Sequence, residues 1–203
     1  MASVVSLQRG EVLFRHGDPP SGLYALLDGY VKLYRQSNDR AQILFVLQTG
    51  ECFGATSLPD GSPCPCTAQA ITPAQAIYIA PTALSQLFET NTDLLVALLE
   101  LVSSRVKQLA GLVHDLAFRD VATRLARVLL ARAEAEGRLA EDGLHIQRIL
   151  SQQEMAAMVG TSREVVYRAC KQFERQGLLH LSRREIVILD PARLSEIASQ
   201  ETR

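Results

Sequence analysis

The chain has 203 residues, of which 47% are hydrophobic and 21% charged, and its formal net charge is −1 at pH 7. This length suits one large or two small domains, and the composition is that of a soluble globular protein and excludes a disordered chain. No apolar run approaches the ~18 residues needed to cross a bilayer, and the start MASVVSLQRGE lacks the features of a signal peptide, so we expect a cytoplasmic protein without a membrane partner.

The first third of the chain is rich in β-forming residues. From Gly10 to about Ile79, short β-forming runs alternate with turns made of Gly, Pro, Asn and Asp; the runs are EVLF, LYALLDG, YVKLYR, QILFVL, TAQAIT and QAIYIA. This pattern predicts an antiparallel barrel or sandwich.

After Pro81 the pattern becomes helical. We expect a short helix from Thr82 to about Phe88, opened by its Thr, and a long helix from Asn91. Apolar residues alternate at spacings of four and three along the long helix: Leu95, Leu99, Val102, Val106, Leu109, Val113 and Leu116. This stripe predicts a homodimeric coiled coil. A second stripe lies beside it and would pack on the chain's own β-domain: Leu94, Leu98 and Leu101.

The helical pattern breaks at Phe118, Arg119 and Asp120. Asp120 is suited to cap a further helix, Val121 to Glu136, which would end at Gly137. We expect a hinge at this break. The predicted domains are a β-rich domain over residues 1–90, a dimerisation helix over 91–117 and a C-terminal domain over 118–203.

Two short helices are predicted close together in the last third. Ser151 with Glu154, and Thr161 with Glu164, each have the spacing of a capping box, and Gly160 lies in the turn between the two helices. This is the arrangement of a helix-turn-helix. Beyond it, residues 178–181 and 185–189 predict a hairpin with a basic turn, which is a wing, and a last helix follows Pro191.

The second of these helices carries side chains that suit DNA. Arg can hydrogen-bond guanine and Glu can accept from cytosine, so we predict that Arg163, Glu164 and Arg168 read bases. Other polar residues suit contacts with the DNA backbone: Ser151, Gln152, Thr161, Ser162, Tyr167 and Lys171. Since the net charge is close to zero, binding would depend on this local patch.

The segment EMAAMVGTSREVVYRACKQFERQGLL resembles the helix-turn-helix of the CRP/FNR family of bacterial transcription regulators, and GEVLFRHGDPPSGLYALLDGYVKLYR resembles that family's cyclic-nucleotide-binding β-roll. The resemblance covers nearly the whole chain. It implies an α+β fold with an antiparallel β-roll (a jelly roll), a long dimerisation helix and a C-terminal winged helix-turn-helix. It also implies a homodimer on double-stranded DNA, with RNA polymerase as a partner. Arg163 before Glu164 resembles the CRP side of the family and implies TGTGA-like half-sites, although Tyr167 stands where the family has a small residue.

In that family, a Gly-Glu pair and an Arg-Ser pair hold the ribose and the phosphate of cyclic AMP. In this chain Ala55 follows Gly54, and Cys64 and Pro65 stand where Arg and Ser are expected. A pocket formed by Gly54, Ala55, Cys64, Cys66 and Thr67 would therefore lack a cation and a hydroxyl for a phosphate. We predict no control by cyclic AMP, and the sequence leaves the effector, if there is one, open.

The four cysteines allow several roles. Cys52, Cys64 and Cys66 can pack as small apolar side chains, form a redox or zinc site with His16 as a fourth ligand, or lie near haem or another ligand. We favour packing and predict no metal and no cofactor. No catalytic constellation is present in the sequence, so we expect no enzyme. The alternative function is a small-molecule or redox-sensing β-roll whose winged domain makes protein contacts.

Overall fold

The computed structural model describes residues 2–20, 22–57 and 60–201. The chain divides into two units, residues 1–110 and 111–203. The long helix therefore begins in the first unit and ends in the second. In the described part of the chain, no helix is long and apolar enough to span a membrane.

The first unit begins with antiparallel strands arranged in two sheets. The strands are β1 (Ala2–Leu7), β2 (Val12–Phe14), β3 (Leu23–Asp28), β4 (Val31–Ser37), β5 (Arg40–Leu47), β6 (Cys52–Phe53), β7 (Thr67–Ala70) and β8 (Ala74–Ile79). One sheet has the order β1-β8-β3-β6 and the other β2-β7-β4-β5. Buried side chains from both sheets form one core, in which the rings of Tyr24 and Phe53 stack with centroids 5.2 Å apart. The predicted antiparallel β-roll is confirmed.

Strand β1 was absent from the prediction, which placed the first strand after Gly10. Its side chains are mostly exposed, and Val4 is 62% exposed. The strand exists because all six of its residues pair with β8. Although its local sequence pattern is weak, β1 forms a strand because it pairs with β8, about seventy residues away along the chain.

Two helices follow the β-roll, α1 (Pro81–Thr90) and α2 (Thr92–Phe118). The expected start of α1 at Thr82 was wrong, because Pro81 occupies the first turn and Ala80 is the N-cap, without a side-chain hydrogen bond. Proline is favoured there because the first helical N–H has no partner within the helix. Leu84 of α1 packs against Leu23 and Ala55, which attaches this helix to the roll.

The second unit contains the last turns of α2, further helices and a sheet. The further helices are α3 (Val121–Glu136), α4 (Gln152–Val159), α5 (Arg163–Arg175) and α6 (Pro191–Ala198). Asp120 caps α3 as predicted, since its Oδ1 accepts a hydrogen bond of 2.8 Å from the Thr123 N–H. Gly137 is the C-cap of α3, also as predicted.

The sheet of the second unit has the order β11-β12-β10-β9. The predicted wing corresponds to β11 (Leu179–Leu181) and β12 (Glu185–Ile188). The other two strands, β9 (Arg138–Ala140) and β10 (Gly143–Gln147), were missed because they are short and their pattern does not alternate clearly. β10 pairs with β12, so the wing is the outer half of a larger sheet.

Candidate functional site

The turn between α4 and α5 fixes how the second helix is presented. Ser151 caps α4 in a complete capping box, in which its Oγ accepts from the Glu154 N–H and the Glu154 carboxylate accepts from the Ser151 N–H. At the other end, Gly160 has φ 74° and ψ 46°, the left-handed conformation that favours glycine. Both predictions from the sequence are confirmed.

The second predicted capping box does not form. Thr161 lies in the turn, where its N–H donates to the carbonyl of Ala156 at 3.0 Å. The N-cap of α5 is Ser162, which makes no side-chain hydrogen bond to the first turn of the helix backbone. The reason is that the carbonyl of Ala156 already holds Thr161 in the C-terminal turn of α4, one residue too early to cap α5.

One face of α5 is buried in the domain core. Its buried residues are Val166, Ala169, Cys170 and Phe173. Ala156 on α4 is fully buried, as expected for a small residue where two helices cross closely. This packing holds α5 by one side and leaves the other side in solvent.

The exposed face of α5 presents the residues that were predicted to read bases. Arg163, Glu164 and Arg168 are exposed, and Tyr167 between them is 47% exposed. The N–H of Glu164 and the Ser162 hydroxyl hold the pKa of the Glu164 carboxyl below its ordinary value, and the charges of Arg163 and Arg168 lower this pKa further. The face therefore carries two guanidinium donors around one ionised acceptor.

Lys171 extends this face by one turn, but it is not a free cation. Its Nζ lies 2.6 Å from Glu174 Oε2 and 6.0 Å from the ring centroid of Tyr167. Glu174 also accepts a hydrogen bond from the Leu181 N–H of β11. Lys171 thus belongs to a small network that joins α5 to the wing, and it was predicted from sequence without this partner.

Other predicted backbone-contacting residues lie around the start of the two helices. Arg163 Nε donates to Gln152 Oε1 at 3.4 Å, which links the first turns of α4 and α5. Ser151 and Ser162 are exposed, and Thr161 and Gln152 are partly exposed. The structure therefore brings this predicted set together at one edge of the domain.

The wing adds basic residues that the prediction mentioned only as a basic turn. Arg183 and Arg184 are exposed in the turn between β11 and β12. Arg148, just before α4, donates from Nη1 to the carbonyl of Ser182 at 2.8 Å, and its N–H donates to the carbonyl of Arg184. The turn is thereby fastened next to the start of α4. The run SRR between two β-forming runs was the only signal in the sequence.

The first unit contains a cavity between the β-roll and helix α2. Its volume is about 200 Å³. Four of the five predicted pocket residues line it: Gly54, Ala55, Cys64 and Cys66. Thr67, the first residue of β7, is not among the lining residues. Its Oγ1 accepts a hydrogen bond from the His16 N–H. Helix α2 supplies the rest of one side, which the pocket prediction lacked.

Two family models match the chain. Residues 4–91 match the cyclic nucleotide-binding domain, and residues 123–197 match the Crp-like helix-turn-helix domain. The chain is 31% identical over 195 residues to the "CRP-like cAMP-activated global transcriptional regulator" of Mycobacterium tuberculosis, an alignment that covers 96% of this chain and 87% of that protein. The chain belongs to the CRP/FNR family of transcription regulators.

Other relatives and solved structures agree with this assignment. The "Global nitrogen regulator" of Synechocystis sp. is 30% identical over 95% of this chain and 87% of its own length. FixK2 from Bradyrhizobium japonicum has the same fold, with a TM-score of 0.88 at 20% identity and 98% coverage of both chains. The c-di-GMP responsive regulator CLP of Xanthomonas campestris has a TM-score of 0.80 at 27% identity, over 92% of this chain and 93% of that one.

In this CRP/FNR regulator, helix α2 carries the predicted apolar stripe in an exposed position. Six of its seven residues are exposed: Leu95, Leu99, Val102, Val106, Val113 and Leu116. Leu99, Val106 and Val113 are 60–69% exposed. Leu109 is half-buried and lines the cavity. The second predicted stripe, Leu94, Leu98 and Leu101, is half-buried, and its last two members line the cavity.

Three of the four cysteines are buried: Cys64 and Cys66 lie in the core of the β-roll, and Cys170 lies on the buried face of α5. None of the four forms a disulfide. Burial raises the pKa of the Cys66 thiol to about 11, and burial also raises the pKa of Cys52. The described residues bring together no group of three or more His, Cys, Asp or Glu that could hold a metal ion. This burial agrees with packing as small apolar side chains, the role that the sequence favours.

Proposed function

We propose that this CRP/FNR regulator is a homodimer that binds a pseudo-palindromic DNA site with TGTGA-like half-sites. The observation that carries the proposal is the exposed face of α5, where Arg163, Glu164 and Arg168 surround Tyr167 while the opposite face is buried. Guanidinium groups can donate two hydrogen bonds to guanine, and a carboxylate can accept from cytosine N4. These three residues would read bases within the major groove.

Backbone contacts would hold α5 in register on the DNA. Ser151 and Gln152 at the start of α4 suit contacts with a phosphate, as do Ser162 and Thr161 at the start of α5. Arg183 and Arg184 of the wing would add cationic contacts, because Arg148 fixes their turn beside the start of α4. Lys171 would contribute less than a free lysine, since Glu174 neutralises part of its charge.

Two copies of the chain would pair through the exposed stripe on α2. A row of apolar side chains at heptad spacing that faces solvent is the pattern of a coiled-coil seam. The break between α2 and α3, at Arg119 and Asp120, would be the hinge through which the two DNA-binding domains set their spacing. RNA polymerase would be a further partner, since the relatives are named as transcriptional regulators.

Control by cyclic AMP is disfavoured by the geometry around Cys64. The Cys64 N–H donates to the carbonyl of Asp18 at 2.7 Å, and Pro65 has no N–H to donate. The nearby Arg35 donates from Nη1 to the carbonyl of Pro65 at 2.8 Å. A phosphate at this wall would receive no hydrogen bond from the backbone of Pro65, and the Cys64 N–H would have to leave the Asp18 carbonyl to donate to it. Among the proteins named above, one is described as cAMP-activated and another as c-di-GMP responsive, so one effector does not characterise all of them.

The experiment begins with selection of binding sites from a random pool of double-stranded DNA by the purified protein. We expect a pseudo-palindrome with two G·C-containing half-sites about one helical turn apart. The affinity for the selected site should fall steeply with salt, because each neutralised phosphate releases a counterion. Each of Arg183→Gln and Arg184→Gln removes one phosphate contact per subunit, so each should reduce the magnitude of the salt slope of the dimer by about 2 without changing the selected sequence.

Two outcomes would count against this function. If no sequence is enriched at low salt, the exposed face of α5 does not read DNA, and a winged domain used for protein contacts becomes the better interpretation. If cyclic AMP at millimolar concentration increases the affinity more than tenfold, the proposed independence from cyclic AMP is wrong.

A further inference from the structure

The cavity of the first unit is lined almost wholly by apolar side chains. Phe14, Phe45 and Phe53 contribute aromatic rings on the β-roll side, together with Leu33 and Leu44. Helix α2 covers the other side with apolar residues: Leu98, Leu101, Val102, Val106 and Leu109. The cavity is thus a space between two apolar surfaces.

Among the described residues, a single charged residue lines the cavity, and it is already paired. Arg105 of α2 donates from Nη2 to Glu51 Oε1 at 2.8 Å, and its guanidinium lies 4.8 Å from the ring centroid of Phe45. Its Nη1 also donates to Gln108 Oε1. A carboxylate or phosphate without a cation in an apolar space is strongly disfavoured, so an anionic ligand would have to pair with Arg105. To do so, it would have to displace the Glu51 carboxylate.

The backbone groups of Cys64 on the opposite wall are also satisfied. The Cys64 carbonyl accepts from the Gly17 N–H at 2.9 Å, and its N–H donates to the Asp18 carbonyl. The Cys64 Sγ lies 3.4 Å from the Pro19 carbonyl. This wall therefore presents thiols and a proline ring to the cavity and offers few groups that could hydrogen-bond a polar ligand.

We propose that this cavity binds a neutral, apolar small molecule of one or two rings, or a branched aliphatic molecule of similar size. The volume of about 200 Å³ exceeds the ~150 Å³ of an apolar protein cavity that takes benzene, and it is smaller than the ~300 Å³ at which drug-sized sites begin. Apolar ligands in such cavities gain affinity by replacing empty space with close packing.

A ligand in this cavity would touch the same helix that carries the exposed stripe. Val102 and Val106 line the cavity and are also 37% and 60% exposed. A ligand that packs under them would therefore favour one position of α2 over another. This regulatory consequence depends on the proposed dimer and its DNA site, whereas ligand binding itself requires neither.

The test uses the full chain and measures binding of indole, benzoate and cyclic AMP by calorimetry without DNA. We expect saturable binding of indole, and at least tenfold weaker binding of benzoate and of cyclic AMP. Because the measurement contains no DNA, its failure is distinguishable from failure of the DNA-binding function, which the site selection tests separately.

Two matched variants of α2 locate the site. Leu101→Trp places a large side chain in the cavity and should abolish indole binding, while Val96→Trp adds the same side chain at an exposed position of α2, outside both the cavity and the stripe, and should leave indole binding intact. If Leu101→Trp does not fold by circular dichroism, Ala55→Leu, which fills the cavity from the β-roll side, replaces it. The proposal is overturned if the wild type shows no saturable indole binding, if benzoate binds as tightly as indole, or if a folded cavity-filling variant binds indole like the wild type.

Discussion

Removal of one arginine from α5 tests whether this helix reads bases or only supplies positive charge. Arg168→Ala removes an exposed guanidinium from the face proposed to read bases, and Arg175→Ala removes another exposed guanidinium from the last turn of the same helix. Seven residues separate the two positions, which corresponds to about 10 Å along the helix axis. Arg175 should therefore lie outside the major groove when Arg168 lies in it.

The expected losses differ by a calculable amount. A bidentate contact between arginine and guanine discriminates by about 1–3 kcal/mol, which is roughly 5- to 140-fold at one half-site. A dimer loses the contact twice, so the loss for the full site is about 2–6 kcal/mol. Arg175→Ala removes the same formal charge without a base contact and should change the affinity by at most a few fold.

Fluorescence anisotropy with the selected site and with single-base variants of it provides the measurement. Wild type should discriminate strongly at one G·C pair of each half-site, and Arg168→Ala should bind all bases at that pair with similar affinity. If Arg168→Ala weakens every sequence equally, or if Arg175→Ala costs as much as Arg168→Ala, Arg168 acts through charge alone and the assignment of a base contact fails.

Three further predictions concern the dimer, the turn and the sheet. Leu99→Glu combined with Val106→Glu should convert the proposed dimer to monomers in sedimentation velocity. Both side chains are at least 60% exposed on the stripe, so the substitutions place charges in the proposed apolar interface. A variant that sediments as a dimer would show that the stripe is not the interface. Gly160→Ala should destabilise the second unit by about 1–2 kcal/mol and lower its melting temperature, because alanine is strained at φ 74°. Gly111→Ala in α2, where an added Cβ meets nothing within 4 Å, should be neutral or stabilising, and equal melting temperatures for the two variants would contradict this reasoning. Hydrogen bonds to Asp142, first, and to Glu185 raise the pKa of His145. The protonated His145 should therefore stabilise the fold at low pH, and this stabilisation should disappear as the pH rises through the raised pKa. The melting temperatures of wild type and His145→Gln should differ at pH 6 and converge at pH 9, and a difference that grows with pH would refute the stabilising role of protonated His145.

Local signals in the sequence were sufficient for the helix-turn-helix. The Ser151 capping box, the left-handed Gly160 and the Asp120 cap were each predicted correctly, because these residues satisfy backbone requirements within four positions of themselves. The heptad spacing along α2 likewise predicted an apolar stripe, and six of its seven residues are exposed. The fold class followed from these signals together with the alternation of short strands and turns.

Other features depended on partners that are far apart along the chain. Strand β1 is defined by its pairing with β8, and β10 by its pairing with β9 and β12, so neither had a strong local pattern. Thr161 had the spacing of a cap, yet the carbonyl of Ala156 took its N–H into the preceding turn.

The sequence by itself determined the class of the protein and the polar residues that α5 exposes, because turn chemistry and helical periodicity are local. Only the tertiary structure decided that the space beside Cys64 is an apolar cavity. Its lining comes from β-strands and from α2, and the cation Arg105 in that lining is paired with Glu51, 54 positions earlier in the chain. Burial and charge pairing of this kind arise when distant segments fold against one another, and no local pattern in the sequence contains them.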